Sequence, residues 1–420
     1  MQLHWLPCLL LSLALSVPSA RGVTIDLDGI APRVRSSHPH LKAARLAIDE
    51  ARGRLLGSGR RANPTLSVEF QGESGLSPGA SGIGIDQAFP LTNRLALEKH
   101  LSAQAVEAAE LEVRDAERRL IAEAQALAVR LLAVKALRSL RQNQAGLAKE
   151  LADFARDRSA KGELSPLEAA QALVDAQRAA VAGKTLEAEA VATTGQLKQA
   201  LGVPADEELT LSGTLPERLL PAETDWKARP DLQAARLRTD AARTETDLAR
   251  ARKWDDLSAG LFAAREHEDR PGGGTDRSGY VGLRFSLPLP FWNRNEGEIA
   301  EKTARAERTQ LETEALAADI AVEADAAREE MAAHADLAAE IESTLLPAVR
   351  QQLERLEAAY QRGETDLLSL LRAREQRLEL ESAALDATRD FHLARIRYEA
   401  AIGVHAPAAK ASSHSSSPVR

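Results

Sequence analysis

The sequence predicts a mainly α-helical chain with a small β part, built as two copies of one plan: helix, two strands, long helix, helix. Three observations carry this. First, the chain repeats itself. His38–Arg52 (HPHLKAARLAIDEAR) aligns without a gap to Arg229–Arg243 (RPDLQAARLRTDAAR), and GIDQAFPL (Gly84–Leu91) falls on GLRFSLPL (Gly282–Leu289). The copies lie roughly 190–200 residues apart, too far for a solenoid unit. Second, alanine, leucine, glutamate and arginine dominate and aromatics are 3% of residues, a composition of long helices rather than of a large globular core. Third, each half ends its long helical run in the same kind of reversal, KGELSPLEAA at Lys161–Ala170 and RGETDLLSLL at Arg362–Leu371.

Length and charge exclude several classes. The 420 residues could hold two or three ordinary domains. A net charge of −8 with no basic stripe excludes a nucleic-acid footprint. The one cysteine, Cys8, lies in a leader-like segment, so the mature chain has no disulfide, thiolate metal site or cysteine nucleophile.

In chain order, Leu6–Val17 is an apolar run closed by Pro18-Ser19-Ala20, too short for a membrane helix and suited to a signal-peptide core. Residues 1–22 are therefore expected to be a signal peptide, with no acyl anchor at Cys8. Residues 23–202 form the first repeat, 203–228 a linker, 229–404 the second repeat, and 405–420 a Ser/Ala/Pro-rich disordered tail.

Pro39–Ala62 reads as a helix with proline in its first turn. Leu66, Val68 and Phe70 alternate with Ser67, Glu69 and Gln71, which predicts a strand with one apolar face. A turn over Gly72–Gly82 leads to a second strand carrying Ile83, Ile85 and Phe89. Asn93–Ala160 lacks proline and reads as one helix of roughly 100 Å. Its Leu120, Ala124, Leu127, Leu131 and Val134 step 4-3-4-3, the coiled-coil seam. At the reversal Gly162 suits a helix C′ position, Ser165 an N-cap and Pro166 the first helical position of a helix running to Leu201.

The second half repeats the order: a helix over Pro230–Lys253, strands at about Leu257–Arg265 and Tyr280–Leu287, and a long helix over Asn295–Gln361. There Leu346, Val349, Leu353, Leu356 and Tyr360 step 3-4-3-4, and the last helix carries Leu371, Leu378 and Leu385 at heptad spacing. In each half the two shorter helices together approach the length of the long one, so stacked end to end they could lie antiparallel to it. The strands would then gather far from the reversals.

Sites of chemistry are sparse. His267-Glu268-Asp269 before PGGGTD suggests a metal site less than it does a solvated loop between strands. Gly272-Gly273-Gly274 has no helix behind it and makes no phosphate cradle. The carboxylate pairs on the helices are solvated or wall-lining faces. No Ser/His/Asp or HExxH arrangement stands out, so the chain is read as a non-enzyme without a cofactor.

The ordered, duplicated set NPTLSVEF (Asn63–Phe70), LPLPFWNRNEGEI (Leu287–Ile299) and the two reversals resembles the TolC-like outer-membrane efflux duct family over almost all of the mature chain. LPLPFWNRNEGEIAEKTARAE is most similar to its CzcC-like branch, which serves heavy-metal pumps. The resemblance implies a homotrimer in the outer membrane of a Gram-negative bacterium. Three protomers would give four strands each to one 12-stranded transmembrane barrel standing on an α-helical periplasmic tunnel. It also implies passive conduction of cargo, heavy-metal cations among the candidates, from an inner-membrane RND pump through a periplasmic adaptor. The physics of strands agrees: strands of about 9–11 residues suit a bilayer, but four cannot close, and every edge in lipid must be paired.

On this reading Leu66, Val68, Phe70, Ile83, Ile85 and Phe89 face lipid. Lys161, Gly162, Leu167, Arg362, Gly363 and Leu367 form the adaptor-docking tip, and Glu163, Glu364 and Asp366 an acidic gate. The other reading is a periplasmic coiled-coil scaffold without a pore. Duplicated, membrane-length strands with one apolar face discriminate against it.

Overall fold

The structure, a computed structural model, describes residues 22–72, 78–221, 225–269 and 275–403. The expected signal peptide, the tail, the centre of the first turn and Gly272-Gly273-Gly274 lie outside these residues. The chain begins with β1 (Val23–Ile25), α1 (Ile30–Ser37), α2 (Pro39–Gly57), β2 (Thr65–Gly72) and β3 (Pro78–Phe89). The helices α3 (Arg94–Ala160) and α4 (Pro166–Leu201) follow, then β4 (Leu209–Leu211), a 3-10 turn (Trp226–Ala228), α5 (Pro230–Ala251), β5 (Leu257–Asp269) and β6 (Thr275–Ser286). The chain closes with α6 (Glu296–Glu340), α7 (Leu346–Gln361) and α8 (Leu367–Ile402).

Both long helical runs and both pairs of strands thus stand where the sequence predicts them, but α1 is an added helix, β6 begins at Thr275 and not Tyr280, and further differences follow. The first helix stops at Gly57, because Ser58 is extended and Gly59 sits at φ 66°. β3 starts at Pro78, inside the expected turn, and β5 continues through His267-Glu268-Asp269, which are strand and not loop. Polar residues extend a strand whose backbone is already paired, since the partner supplies the hydrogen bonds whatever the side chain. The linker contains β4, which pairs in parallel with β1 from the chain start. The second long helix is interrupted by one π turn at Ile341–Leu345.

The chain forms two compact units, each taking parts of both halves of the duplication. One holds Ala124–Glu217, Glu340–Arg389 and the chain up to Ser37; the other holds His38–Glu123, Arg218–Ala339 and the chain from Asp390. In the first unit the seam residues Ala124, Leu127, Leu131 and Val134 are buried, whereas Leu120, on the α3 segment in the other unit, is only half-buried. Leu353, Leu370 and Ala373 pack together with Leu356 and Tyr360. α4 lies along the later part of α3, tied by Arg138 to Glu187 at 3.1 Å. In the second unit α2 lies along the early part of α3, tied by Arg52 to Glu110 at 3.1 Å. There α6 packs on α8 through Met331, Phe391 and Ala394, and through Ala324, Ala327, Tyr398 and Ala401. Small residues at these contacts let helix axes approach closely, which is why so alanine-rich a chain still buries a seam.

Candidate functional site: the sheet faces and the helix reversals

The second unit holds a four-stranded antiparallel sheet in the order β2-β3-β5-β6, with β2 and β6 as free edges. Residues directly opposite in antiparallel strands share a face. The register therefore draws whole rows across the sheet. Leu66, Ile85, Leu261 and Leu283 form one row, and Val68, Ile83, Ala263 and Val281 the next. Phe89 stands opposite Leu257, and Ala259 opposite Phe285, on the same face. Leu66, Val68, Phe70, Ile83, Ile85, Phe89, Leu261, Val281, Leu283 and Phe285 are all exposed. The sequence-predicted set thus shares one continuous apolar face with four residues of the second half.

The other face carries Ser67, Glu69, Gln71, Asp86, Glu266 and Arg284 in the alternate rows. Two aromatics interrupt it, which alternation in the first half did not announce. Phe262 lies between Gly84 and Gly282, and Tyr280 meets its ring edge-on at 6.1 Å. A Cβ on Gly282 would come within 2.7 Å of the Phe262 ring, so this glycine makes room for the aromatic. The Arg284 guanidinium sits over the ring at 5.1 Å, closing its open side with a cation–π contact.

The first unit holds both reversals, and they are built alike. Gly162 and Gly363 have φ 78° and 74°. Gly162 N–H donates to Ser159 O and Glu163 N–H to Arg158 O; Gly363 N–H donates to Tyr360 O and Glu364 N–H to Ala359 O. These are the two bonds of a Schellman close, which satisfies the last carbonyls of each helix. Ser165 and Glu168 form a reciprocal capping box at α4. Asp366 caps α8 by accepting from Ser369 N–H at 3.0 Å.

The acids are exposed, but two of the three are internally paired. Arg158 Nη1 donates to Glu163 at 2.7 Å, and Arg362 makes a two-pronged bond to Glu364 at 2.9 and 2.7 Å. The bond from Arg362 holds the Glu364 carboxyl below its ordinary value. Hydrogen bonding from Ser369 does the same for Asp366. Lys161, Gly162, Arg362 and Gly363 are exposed.

The tip leucines part company, and they do not correspond: Leu167 aligns with the half-buried Leu368, and Leu367 with Pro166. Leu167 is 75% exposed, whereas Leu367 is 2% exposed and packs with Ala152, Ala155 and Ala172. Leu367 is therefore core that seats the second reversal on the first hairpin, not part of an exposed tip. Asp366, the residue before it, caps the same helix.

Among the described residues no group of three or more His, Cys, Asp or Glu is placed to hold a metal ion. The side chains of the former candidate, His267-Glu268-Asp269, lie outside them.

Comparison with known proteins places this geometry. Residues 226–404 match the family described as outer membrane efflux protein. The chain is 25% identical over 274 residues to the cobalt-zinc-cadmium resistance protein CzcC of Cupriavidus metallidurans, a match covering 63% of this chain and 59% of that protein. The match thus spans about three fifths of that relative's length. Among solved structures, CusC superposes with a TM-score of 0.75 at 16% identity, covering 91% of this chain and 93% of that one. The CmeC outer membrane channel of Campylobacter jejuni gives 0.74 at 14% identity, covering 90% and 85%. The open-state MtrE outer membrane channel of Neisseria gonorrhoeae gives 0.70 at 18% identity, covering 90% and 88%. The chain thus has the fold of the CusC, CmeC and MtrE chains, and residues 226–404 match the outer membrane efflux protein family.

Proposed function

We propose that the chain is the outer-membrane exit duct of a tripartite RND-type efflux system and works as a homotrimer. One observation carries the reading: a four-stranded sheet with a continuous exposed apolar face and two free edges. In water that face is a large unpartnered patch, and in lipid the open edges would leave backbone groups unsatisfied. Twelve strands from three copies remove both costs at once. Lipid then lies against Leu66, Val68, Phe70, Ile83, Ile85 and Phe89, and the lumen against Ser67, Glu69, Asp86 and the Phe262–Tyr280 pair. The helices stand in the periplasm. The exposed reversals, with Lys161, Gly162, Leu167, Arg362 and Gly363, meet a periplasmic adaptor, and Glu163, Glu364 and Asp366 line the narrow mouth.

The cargo is heavy-metal cations on this reading. Its support is the similarity to CzcC, a cobalt-zinc-cadmium resistance protein. The duct conducts passively and needs no resident metal. A pore-less scaffold would leave the apolar sheet face in water.

Cross-linking in detergent of protein taken from the outer-membrane fraction is expected to give a trimer. Val68→Arg should destabilise that trimer by about 2–4 kcal/mol while Ser67→Arg costs little, because only the first puts charge in hydrocarbon. A soluble periplasmic monomer, or equal tolerance of the two substitutions, overturns the reading.

A further inference from the structure

The two ends of the apolar face differ. Phe89 ends β3 on the helix side, and Trp254 and Trp292 lie in the connections from α5 to β5 and from β6 to α6, the last of them 95% exposed. At the distal end stand two arginines. Arg265 lies opposite both Ser81 and Gly279, in the row of Phe70. Arg277 lies one row further, opposite His267, so both arginines belong to the apolar face. Both are exposed. Of the acids at this end, Glu69, Glu266, Glu268 and Asp276 fall in the rows of the opposite face, and Asp269, paired with Thr275, falls one row beyond Arg277 in the register of the arginines.

The sheet is also hollowed beside Arg265. Ser81, Ala263 and Gly279 are small, and between Phe70, Ile83 and Val281 they leave a shallow apolar groove that ends at Arg265. The Arg265 stem crosses toward Gly279, with its Cγ 3.8 Å from where a Cβ there would be. An arginine stem laid along apolar surface with its head at the rim is the snorkelling arrangement. From Leu257 to Arg265 the strand advances about 27 Å. At a tilt of ~40° that is about 20 Å of height, against an apolar band of ~25 Å. The Arg265 head therefore reaches the distal headgroup level, and Arg277 sits about 7 Å further along the strand.

We propose that this end of the sheet is a lipid site: the Arg265 and Arg277 guanidinium groups hold the phosphate of an anionic lipid in the distal leaflet, and one acyl chain lies in the groove. Arginine suits phosphate because its planar fork donates two parallel bonds. The inference rests on the membrane reading above, since only there does the apolar face meet lipid.

The test uses the full-length protein in detergent, titrated with bisphosphorylated lipid A and followed by native mass spectrometry. Wild type should bind lipid A at least tenfold more tightly than phosphatidylcholine. Arg265→Gln with Arg277→Gln should remove that preference, and Ala263→Trp, which fills the groove, should weaken binding of both lipids. Equal lipid A binding by the double variant overturns the proposal. Full competition by inorganic phosphate would make it a free-anion site, and protomer cross-links through Ala263→Cys would make the groove a protein contact; either also overturns it. Co-flotation with phosphatidylcholine vesicles separates the two levels. If wild type fails to float, the membrane reading fails; if wild type and double variant both float but bind lipid A alike, only the lipid site fails.

Discussion

Arg118 and Arg229, from the two halves of the chain, donate to neighbouring carbonyls at the end of α8: Arg118 to Ala400 O at 2.7 Å and Arg229 to Ala401 O at 3.3 Å. Cations at a helix C-terminus meet the unsatisfied carbonyls and the negative end of the dipole. Each arginine is itself held. Arg118 bonds Asp115 at 2.7 Å, and Arg229 bonds Asp231 at 2.9 Å and Glu323 at 2.8 Å. Burial opposes the Arg229 charge, but these acids outweigh it and raise its pKa. The network fastens the last helix to α3, α5 and α6.

Arg118→Met should therefore destabilise the protein by about 3 kcal/mol, because it leaves Asp115 Oδ1 and the Ala400 carbonyl without their buried donor. Arg119, which meets the same Asp115 at 3.0 Å from a side chain 68% exposed, should be replaceable by methionine within about 0.5 kcal/mol. Thermal unfolding of the two variants in detergent, compared with wild type, checks the difference.

The π turn is a register device. Ile320, Ala324, Ala327, Met331 and Ala338 on α6, and Ile341 at the start of the π turn, are buried at seam spacing, and the next seam position would be Leu345. Leu345 is 40% exposed, and Leu346 is buried in its place. One extra residue in the turn puts Ile341 and Leu346 together against Ala384. Pro347 adds a second reason, since its ring would clash with the Ser343 carbonyl in a continuous α-helix. Pro347→Ala alone should leave the π turn in place, because the seam still carries its extra residue. Deleting Leu345 together with Pro347→Ala should give an unbroken helix with slower hydrogen exchange at residues 341–346. Equal exchange in both variants would assign the turn to something other than seam phase.

How far the sequence carried this fold depends on the period of each signal. Long runs repeated their period many times, so α3, α4 and the two strand pairs were legible. β1 and β4 are three residues each, Val23–Ile25 and Leu209–Leu211, and no period can be read from so few. The π turn escaped because the spacing is regular on each side of it, and only the phase shifts. The reversal motifs did not show that Leu167 is exposed and Leu367 buried, since burial there depends on which hairpin lies alongside. Phe262 was invisible as a polar-face residue because the space it needs is made by Gly84 and Gly282 on neighbouring strands.

The reversal glycines offer a clean backbone test. A Cβ at Gly162 or Gly363 would meet nothing within 4 Å, so any penalty is conformational and not steric crowding by neighbours. Their positive φ disfavours an L residue by about 1–2 kcal/mol, more when β-branched, and asparagine tolerates it best. Gly363→Val should impair efflux without impairing trimer assembly, and Gly363→Asn should restore it. Drug or metal susceptibility of cells, read beside cross-linked trimer yield, decides this. Loss of trimer in Gly363→Val would place the fault in folding.

The acidic residues at the reversals give a pH-dependent prediction. Glu364 is held below 4.5 by its bond from Arg362, and Asp366 below 3.8 by Ser369. A lowered pKa keeps the charge present as pH falls through the ordinary carboxylate range and loses it only below the lowered value. Block of single-channel current by divalent cations should therefore persist in planar bilayers at pH values near 4.5 and fade at more acid pH. Glu364→Gln with Asp366→Asn, which keeps the helix cap, should abolish block at all pH values. Arg362→Gln should strengthen block at neutral pH by leaving Glu364 unpaired, and should move its loss to higher pH because the bond that lowered the pKa is gone. Three copies of each group around a narrow mouth would amplify these changes, since like charges in a constriction focus the field. If block in Arg362→Gln and in the double variant matches wild type at every pH, these acids do not face the conducting path.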